Sequence, residues 1–565
     1  MKNKALVSSG ILILIGTVIW SSTMVKSSLI YPFGMGFWGP NGHDGVWHIA
    51  LINQLAKGNW TMPVFAGEAL KNYHVGFDLL LAIIHKITAI PAHALYFQII
   101  PSIIALLTGI FTYKFVYFWR KSKIEAFWAT FFVYFGGNFG WIVTLLRSGQ
   151  IGGESLFWSQ QAVSTLINPP FALSIVMMFL GLISIIRAPK KKYGLFLPIL
   201  IFGILAQVKI YAGVLSLGGL FVAGIYEFTR KRKTVILKIF TGAAFIAGFL
   251  FFSFNRGSAN LIVFKPFWFL ETMMGLSDRF NWPRFYEAMV NYRLGGIWFK
   301  AIPAYIIAFL IFWYGNMGTR LIQEILIAKW VIDKRRISFM EIFLLSVIVA
   351  GAIIPMFFLQ AGTPWNTIQF FYYSLTFSGI LAGLVLGGWI EGQRNILKQG
   401  LITGVIILFT LPTTYATLKH YLPARPPAKI SHEELEALNF LSAQPDGVVL
   451  TYPFDRDAAE AAVANPPRPL YLYESTAYVS AFSKKTVYLE DEVNLDITGY
   501  DWRNRREKVE EFLDSLDDQR VWSFLRENNI TYVYWIKGQR ARLGEGQLGM
   551  TRIFENSEVD IYKVD

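Results

Sequence analysis

Long apolar runs fill most of the first 422 residues, and each ends at a polar or basic break. Runs of this length and composition predict helices that cross a bilayer. They are Ala5–Ser22, Leu95–Phe118, Ile124–Leu146, Phe171–Ile186, Leu195–Gln207, Tyr211–Phe228, Val235–Phe252, Ile297–Trp313, Ile337–Phe358, Phe370–Ile390 and Leu401–Leu418, about 11 transmembrane helices. The first follows MKNK and shows no small-residue cleavage site, so it reads as a retained span. A further stretch, Gly76–Ile90, is short and carries Asp78, His85 and Lys86, which predicts a partly embedded helix that does not cross. A cytoplasmic helix is expected over Gly318–Asp333. No repeat of 20 to 50 residues and no inverted half is visible.

The texture changes after Leu422. Residues 423–430, with PARPPAK, read as a stiff linker, and 431–565 as a soluble α/β domain. Strands are expected at Gly447–Tyr452, Thr486–Glu490, Ile530–Ile536 and Val559–Val564, and helices at Arg503–Leu516 and Val521–Asn528, with Asp517 and Asp518 placed to start the second. The chain thus divides into a membrane domain, 1–422, with a first loop at 26–94, the linker, and the C-terminal domain.

Charge orients this arrangement. Ser431–Asp565 holds 25 acidic and 15 basic residues, so 13 of the chain's 38 acidic and 37 of its 52 basic residues precede it. The basic excess sits in short clusters between apolar runs: Lys2/Lys4, Arg120/Lys121/Lys123, Arg187 with Lys190–Lys192, Arg230–Lys233, Lys329 with Lys334–Arg336, and Arg394/Lys398. That is the distribution of cytoplasmic loops in a multi-pass protein of the cytoplasmic membrane, and no nucleic-acid footprint. It places the N-terminus inside and the acidic C-terminal domain outside. With no cysteine, disulfides, thiolate metal sites and a cysteine nucleophile are excluded. The patterns of P-loop, nucleophile-elbow, zincin and dinucleotide-binding proteins are absent as well.

Candidate chemistry concentrates in Asn41–Asp78, a polar stretch between apolar runs that is too long for a plain connection. Val46, Ile49, Ala50, Ile52 and Leu55 follow a helical period from Asp44, which puts Asp44 and His48 one turn apart on one face. Asp44 suits a helix N-cap, and a carboxylate at the lip of a membrane cavity suits a general base or a metal ligand. His43 and His48 flank it as interfacial hydrogen-bonding groups, co-ligands or phosphate contacts. Tyr73, His74 and Asp78 form a second polar knot, with His85 a further cavity-wall candidate; Asp78 alternatively pairs with Lys86 or His74. Glu154 is the one carboxylate between the third and fourth spans, where Asn168-Pro169-Pro170 breaks the chain. Lys209, between two short spans, either holds a phosphate or snorkels to the surface. Arg256, Lys265, Arg279, Arg284 and Arg293 decorate a long outer loop, and TPWNTIQFFYY brings Trp365, Asn366 and Gln369 to the outer membrane surface.

A span, a first outer loop with HDGVWH, a Tyr-containing turn NYHVGFD, a non-crossing helix, further spans and an outer C-terminal domain resemble the GT-C superfamily of polyprenyl-phosphate-dependent membrane glycosyltransferases. Protein mannosyltransferases, aminoarabinose transferases and RgtA-like enzymes belong to it. The likeness is architectural over the membrane part and of motif over Asn41–Asp78. The C-terminal stretches FLRENNITYVYWI and EVDIYKV are similar to tails of bacterial and archaeal relatives. The resemblance implies transfer of a sugar from a polyprenyl-phosphate donor to an extracytoplasmic glycan, lipid or protein acceptor, with Asp44 as base. It maps a second acidic position loosely onto Glu154. Many members carry paired acids where this chain has His43-Asp44-Gly45, which leaves a divalent metal ion open, with Asp44 and His48 as its candidate ligands. His43, His48, Tyr73, His74, Asp78, Glu154, Lys209 and Gln369 are the candidates, from their places in the chain, to bind substrate or phosphate. A transporter or lipid-linked sugar flippase, and a non-catalytic envelope assembly scaffold, are the alternatives.

Overall fold

The computed structural model describes residues 2–187, 194–254, 262–332 and 337–565, with side chains from residue 7 and without that of residue 254. Lys190–Lys192, Asp333, Lys334–Arg336, Arg256 and the side chains of Lys2 and Lys4 lie outside these described residues. The chain is a polytopic α-helical membrane protein with a C-terminal domain built on a mixed sheet. Among the described residues, 8 helices are long and apolar enough to cross a membrane, or 9 if the pair Lys123–Phe135 and Gly140–Ser148, bent by 46°, is one span. Val7–Ser22 and Phe196–Val208 are shorter apolar helices. Each expected apolar run falls on one of these helices; the length and composition of the crossing set give the smaller number.

Gln369–Gly392 is the centre of the bundle and is buried on nearly all sides. Gly379, Gly383 and Gly387 form a stripe at four-residue spacing along it, and a Cβ at Gly383 would lie 2.2 Å from the Ala129 nitrogen. The stripe lets the backbones of Gln369–Gly392 and Lys123–Phe135 meet, as small residues do between membrane helices. Gly76–Thr88 stands apart from the crossing set, as expected: its 13 residues reach about 20 Å. It buries Phe77, Asp78, Leu81 and Ala82 and exposes Leu80, Ile83 and Ile87.

The helix expected over Gly318–Asp333 is present as Gln323–Ile332, and a tight turn at Gly318–Ile322 joins it to Trp298–Met317 as one broken run of 35 residues. Arg320 in that turn is 2% exposed, and its guanidinium donates to the carbonyls of Asn316 (2.7 Å), Met317 (3.2 Å) and Gly137 (3.3 Å) and to Gln161. A turn capped in this way belongs inside the bundle. The linker, in turn, is partly a strand: Ala428–Ile430 pairs antiparallel with Gly34–Phe37 of the first loop and parallel with Arg468–Pro469, and Leu29–Tyr31 completes a 4-stranded sheet. Gly34, at φ +106°, is required there, because a Cβ would sit 2.1 Å from the Ile430 carbonyl oxygen.

The C-terminal domain carries a 5-stranded sheet in the order Met550–Glu555, Val559–Val564, Ile530–Ile536, Val448–Thr451, Thr486–Val487. The last three are parallel to one another and the first two join as antiparallel strands. The expected strands are all present, while Met550–Glu555 and the helix His432–Ala443 were not anticipated. Asp517 caps Asp518–Glu527 by accepting from the Gln519 and Arg520 nitrogens. The first loop is bound to this domain through backbone hydrogen bonds of Ala66 to Val487 (3.0 Å), Val487 to Pro63 (2.8 Å) and Glu490 to Val64 (3.0 Å).

Candidate functional site

The chain enters helix Asp44–Lys57 from a tight turn at Gly39–Gly42, with the His43 nitrogen donating to the Pro40 carbonyl. No extended residue precedes the helix, so Asp44 is its first residue and not its cap, and its carboxylate makes no capping bond. The N-terminal end of the helix still favours its negative charge. Gly45 lets this end lie against Phe97, whose ring would be 2.4 Å from a Cβ there. Asp44 and His48, one turn apart, then face a cavity of about 450 Å³ between the first loop, the bundle and the C-terminal domain.

Of the residues singled out from the sequence, Asp44, His48, Tyr73, His74, Lys209, Asn366 and Gln369 line this cavity. His43 and Asp78 stand directly behind it. His43 Nδ1 is 3.0 Å from Asp44 Oδ1, and His43 Nε2 is 3.3 Å from Asp491 Oδ1. His48 Nδ1 is 2.6 Å from Asp78 Oδ1, and its ring stacks on Tyr96 at 5.1 Å. Asp78 therefore pairs with His48, neither with Lys86 nor with His74; its side chain is fully buried. His85 caps its own helix end by contacting the Ile90 carbonyl (2.6 Å) and lies off the cavity.

Glu154 is also off the cavity. It is 5% exposed, and its Oε1 accepts from the Gln161 nitrogen (2.7 Å) and the Ser164 hydroxyl (2.6 Å), which folds the loop before Pro169. Burial raises its carboxyl to about 7, against the opposing effect of the Ser164 and Gln161 bonds and the Arg279 charge. A carboxyl raised above its ordinary 4.5 adds stability that is complete below that value and is lost as pH rises through about 7. The shift corresponds to roughly 3 kcal/mol. Glu154→Gln is thus expected to flatten the fall of the thermal midpoint between about pH 4.5 and 7; an unchanged pH slope in detergent-solubilised variant contradicts it.

The outer-loop cations are engaged elsewhere. Arg279 lies over the Trp158 ring at 4.2 Å and pairs with Asp278, and Arg293 is 2.9 Å from Glu271. Lys265 and Arg284 do not line the cavity. Lys209 is the one Lys or Arg in the lining among the described residues; it is 4% exposed, with Nζ 3.3 Å from Asn168 Oδ1. Five buried polar atoms of lining residues have no hydrogen-bond partner among the described residues: Trp47 Nε1, Asn72 Oδ1, His74 Nδ1, the Tyr96 hydroxyl and Gln207 Oε1. Buried polar groups are rarely left so, and a cluster of them in one cavity wall points to a polar occupant.

The Asp44 side chain is 49% accessible from the cavity. Partial burial would raise its carboxyl, but the His43 bond and the nearby His43, His48 and Lys209 outweigh this and hold it below the ordinary range. His43 is raised well above its ordinary value: burial opposes the charge, and Asp491 and Asp44 on its two nitrogens restore it. His74 is pushed well down by burial and then by Lys209, which keeps it neutral. The lining therefore holds an ionised carboxylate, a cation and a neutral imidazole.

A divalent ion would have Asp44 and His48 as ligands, and these do not make a metal cage. No group of three or more His, Cys, Asp and Glu side chains able to hold a metal occurs among the described residues.

No motif or periodicity pointed to Asp491, Asn494 or Ile497, contributed to the site by the C-terminal domain. No protein-family model matches the chain, and no curated protein matches it in sequence. Among solved structures it is similar to an oligosaccharyltransferase of Archaeoglobus fulgidus tethered with an acceptor peptide, with TM-score 0.49, 12% identity and coverage of 94% of this chain and 69% of that one. It is also similar to ArnT of Cupriavidus metallidurans bound to undecaprenyl phosphate, with TM-score 0.46, 12% identity and coverage of 98% and 97%. At these scores the likenesses transfer no residue roles.

Proposed function

We propose that the chain is an integral-membrane glycosyltransferase of the GT-C type, which moves a sugar from a polyprenyl-phosphate donor to an extracytoplasmic acceptor. The observation that carries this reading is one cavity at the bundle surface that holds an accessible, ionised Asp44 together with the buried Lys209 and neutral His74. Asp44 Oδ2 has no protein partner among the described contacts, and it takes the proton from an acceptor hydroxyl or amine. The acceptor atom bonds to the anomeric carbon as the bond from that carbon to the phosphate oxygen breaks. The departing lipid phosphate carries the displaced electron pair and is held by Lys209 and His74, with Gln369 and Asn366 at the rim. A phosphate leaving group makes the two carboxylates of a glycoside hydrolase unnecessary. Glu154 takes no part in this scheme.

The charge split along the chain supports a multi-pass protein of the cytoplasmic membrane with its N-terminus inside and its acidic domain outside. The lipid chain then runs between spans beside Gly76–Thr88. Because the donor set forms no cage, transfer is expected to persist within about twofold when a strong chelator is added; loss restored by one divalent ion contradicts this. Purified protein in liposomes tests the function itself. Labelled sugar reaching an acceptor supports transfer, whereas flux of the lipid-linked sugar without transfer makes the protein a carrier, and neither activity makes it a scaffold.

A further inference from the structure

The C-terminal domain reaches toward the proposed base through Asp491, which contacts His43. Asp491 is fully buried, and its Oδ1 is 3.3 Å from Nε2 of His43, whose Nδ1 is 3.0 Å from Asp44. With a carboxylate on each ring nitrogen, His43 donates from both. Asp491 is itself immobilised: Asn494 donates its backbone nitrogen to Oδ1 (3.1 Å) and its amide to Oδ2 (2.8 Å). Its backbone is left-handed, φ 52° and ψ 61°, a conformation that a non-glycine residue adopts at a cost. The neighbouring residues are pinned as well. Glu490 donates to Val64 of the first loop, and the Ser475 hydroxyl accepts from the Glu492 nitrogen (2.9 Å).

We propose that Asp491 is a positioning residue of the transferase site, which acts through His43 to hold one oxygen of Asp44 and leave the other aimed into the cavity. This rests on the reading of Asp44 as the base. The fixed elements converge on that outcome. His43 Nδ1 occupies Asp44 Oδ1, and rotation of the His43 ring is blocked by the second bond to Asp491. Asp44 is left with one rotamer on a side chain that is otherwise half open to the cavity. Freed of His43, that carboxylate samples several, and a base out of line with the acceptor slows the chemical step without loosening the donor. The C-terminal domain is on this view part of the catalytic apparatus, and a membrane domain without it has a base that is present but unaligned.

The test measures initial rates with a synthetic undecaprenyl-phosphate-linked radiolabelled hexose, using the full chain in membranes of the cells that produce it as the acceptor source. Wild type, Asp491→Asn, His43→Gln, Asp44→Asn and the double variant Asp44→Asn with Asp491→Asn are compared, with folded protein counted by size exclusion. The expected result is a fall in kcat of tenfold or more for Asp491→Asn and His43→Gln, with KM for the donor within about twofold and a double variant no slower than Asp44→Asn alone. An unchanged kcat in His43→Gln, or a double variant slower than Asp44→Asn by the full Asp491→Asn factor, overturns the proposal. A fully active Asp44→Asn overturns the base itself, which is a separate failure. If Asp491→Asn does not fold, His43→Gln decides alone, since it leaves the C-terminal domain untouched.

Discussion

Asp44→Asn is expected to lose transfer by about 10²- to 10⁴-fold, the range for removing a positioned general base. The variant keeps the size of the side chain and a hydrogen-bonding oxygen toward His43 Nδ1, so the helix end and the contact to the C-terminal domain survive. It removes the one group of the lining that is ionised, accessible and free on one oxygen. The loss is expected in kcat, because the acceptor proton is taken only as the new bond forms. His48 offers the sharpest comparison. It lines the same cavity and is backed by the buried Asp78 at 2.6 Å, an arrangement that also suits a base. If His48→Gln abolishes transfer and Asp44→Asn spares it, the base is the His48–Asp78 pair and Asp44 only organises His43. Rates of both variants at saturating donor, with expression matched, separate the two.

Lys209→Met is expected to have the second largest effect, on the order of 10²-fold in kcat/KM, typical of removing one group that stabilises charge on a departing oxygen. Methionine keeps most of the stem and deletes the charge. Lys209 is the one basic side chain of the described lining and is buried without a carboxylate in hydrogen-bond contact; its closest polar partner is Asn168 at 3.3 Å. A cation so placed is costly unless an anion joins it. Because it meets both the bound donor and the departing phosphate, the loss is expected to divide between KM and kcat. Removal of Lys209 from a lipid-free protein should, conversely, leave the thermal midpoint equal or higher. Binding of undecaprenyl phosphate that is unaffected by Lys209→Met contradicts this assignment.

The parts of this account that rest on local pattern were legible in the chain. Apolar run length located the spans, the helical period from Val46 to Leu55 placed Asp44 and His48 on one face, and short runs rich in β-branched and aromatic residues located the strands Ile530–Ile536 and Val559–Val564. What was hidden depends on contacts between distant positions. His43 meets Asp491 across 448 residues, and no periodicity reports that. The strand Ala428–Ile430 sits in a proline-rich segment whose composition reads as linker, and it becomes a strand because Gly34–Phe37 offers an open edge. The break at Gly318–Ile322 looked like the end of a span, since a glycine at φ +51° does stop a helix; buried Arg320, which takes up the freed carbonyls, lets the run resume. Glu154 and the outer-loop arginines looked available for chemistry because charge in a loop reads as solvent-facing. Instead Glu154 folds its own loop, and Arg279 and Arg293 have their own carboxylate partners.

Glycosyl transfer from a lipid phosphate in one cavity, with Asp44 as the base, is tested by the release of free undecaprenyl phosphate, with sugar appearing on an acceptor. The donor is synthetic and radiolabelled, and purified wild type and Asp44→Asn are compared in the same liposomes. Paired appearance of product and free lipid phosphate is expected in wild type, and neither in the equally folded variant. Equal release by both proteins, or none from any polyprenyl-phosphate donor by well-folded wild type, would contradict it.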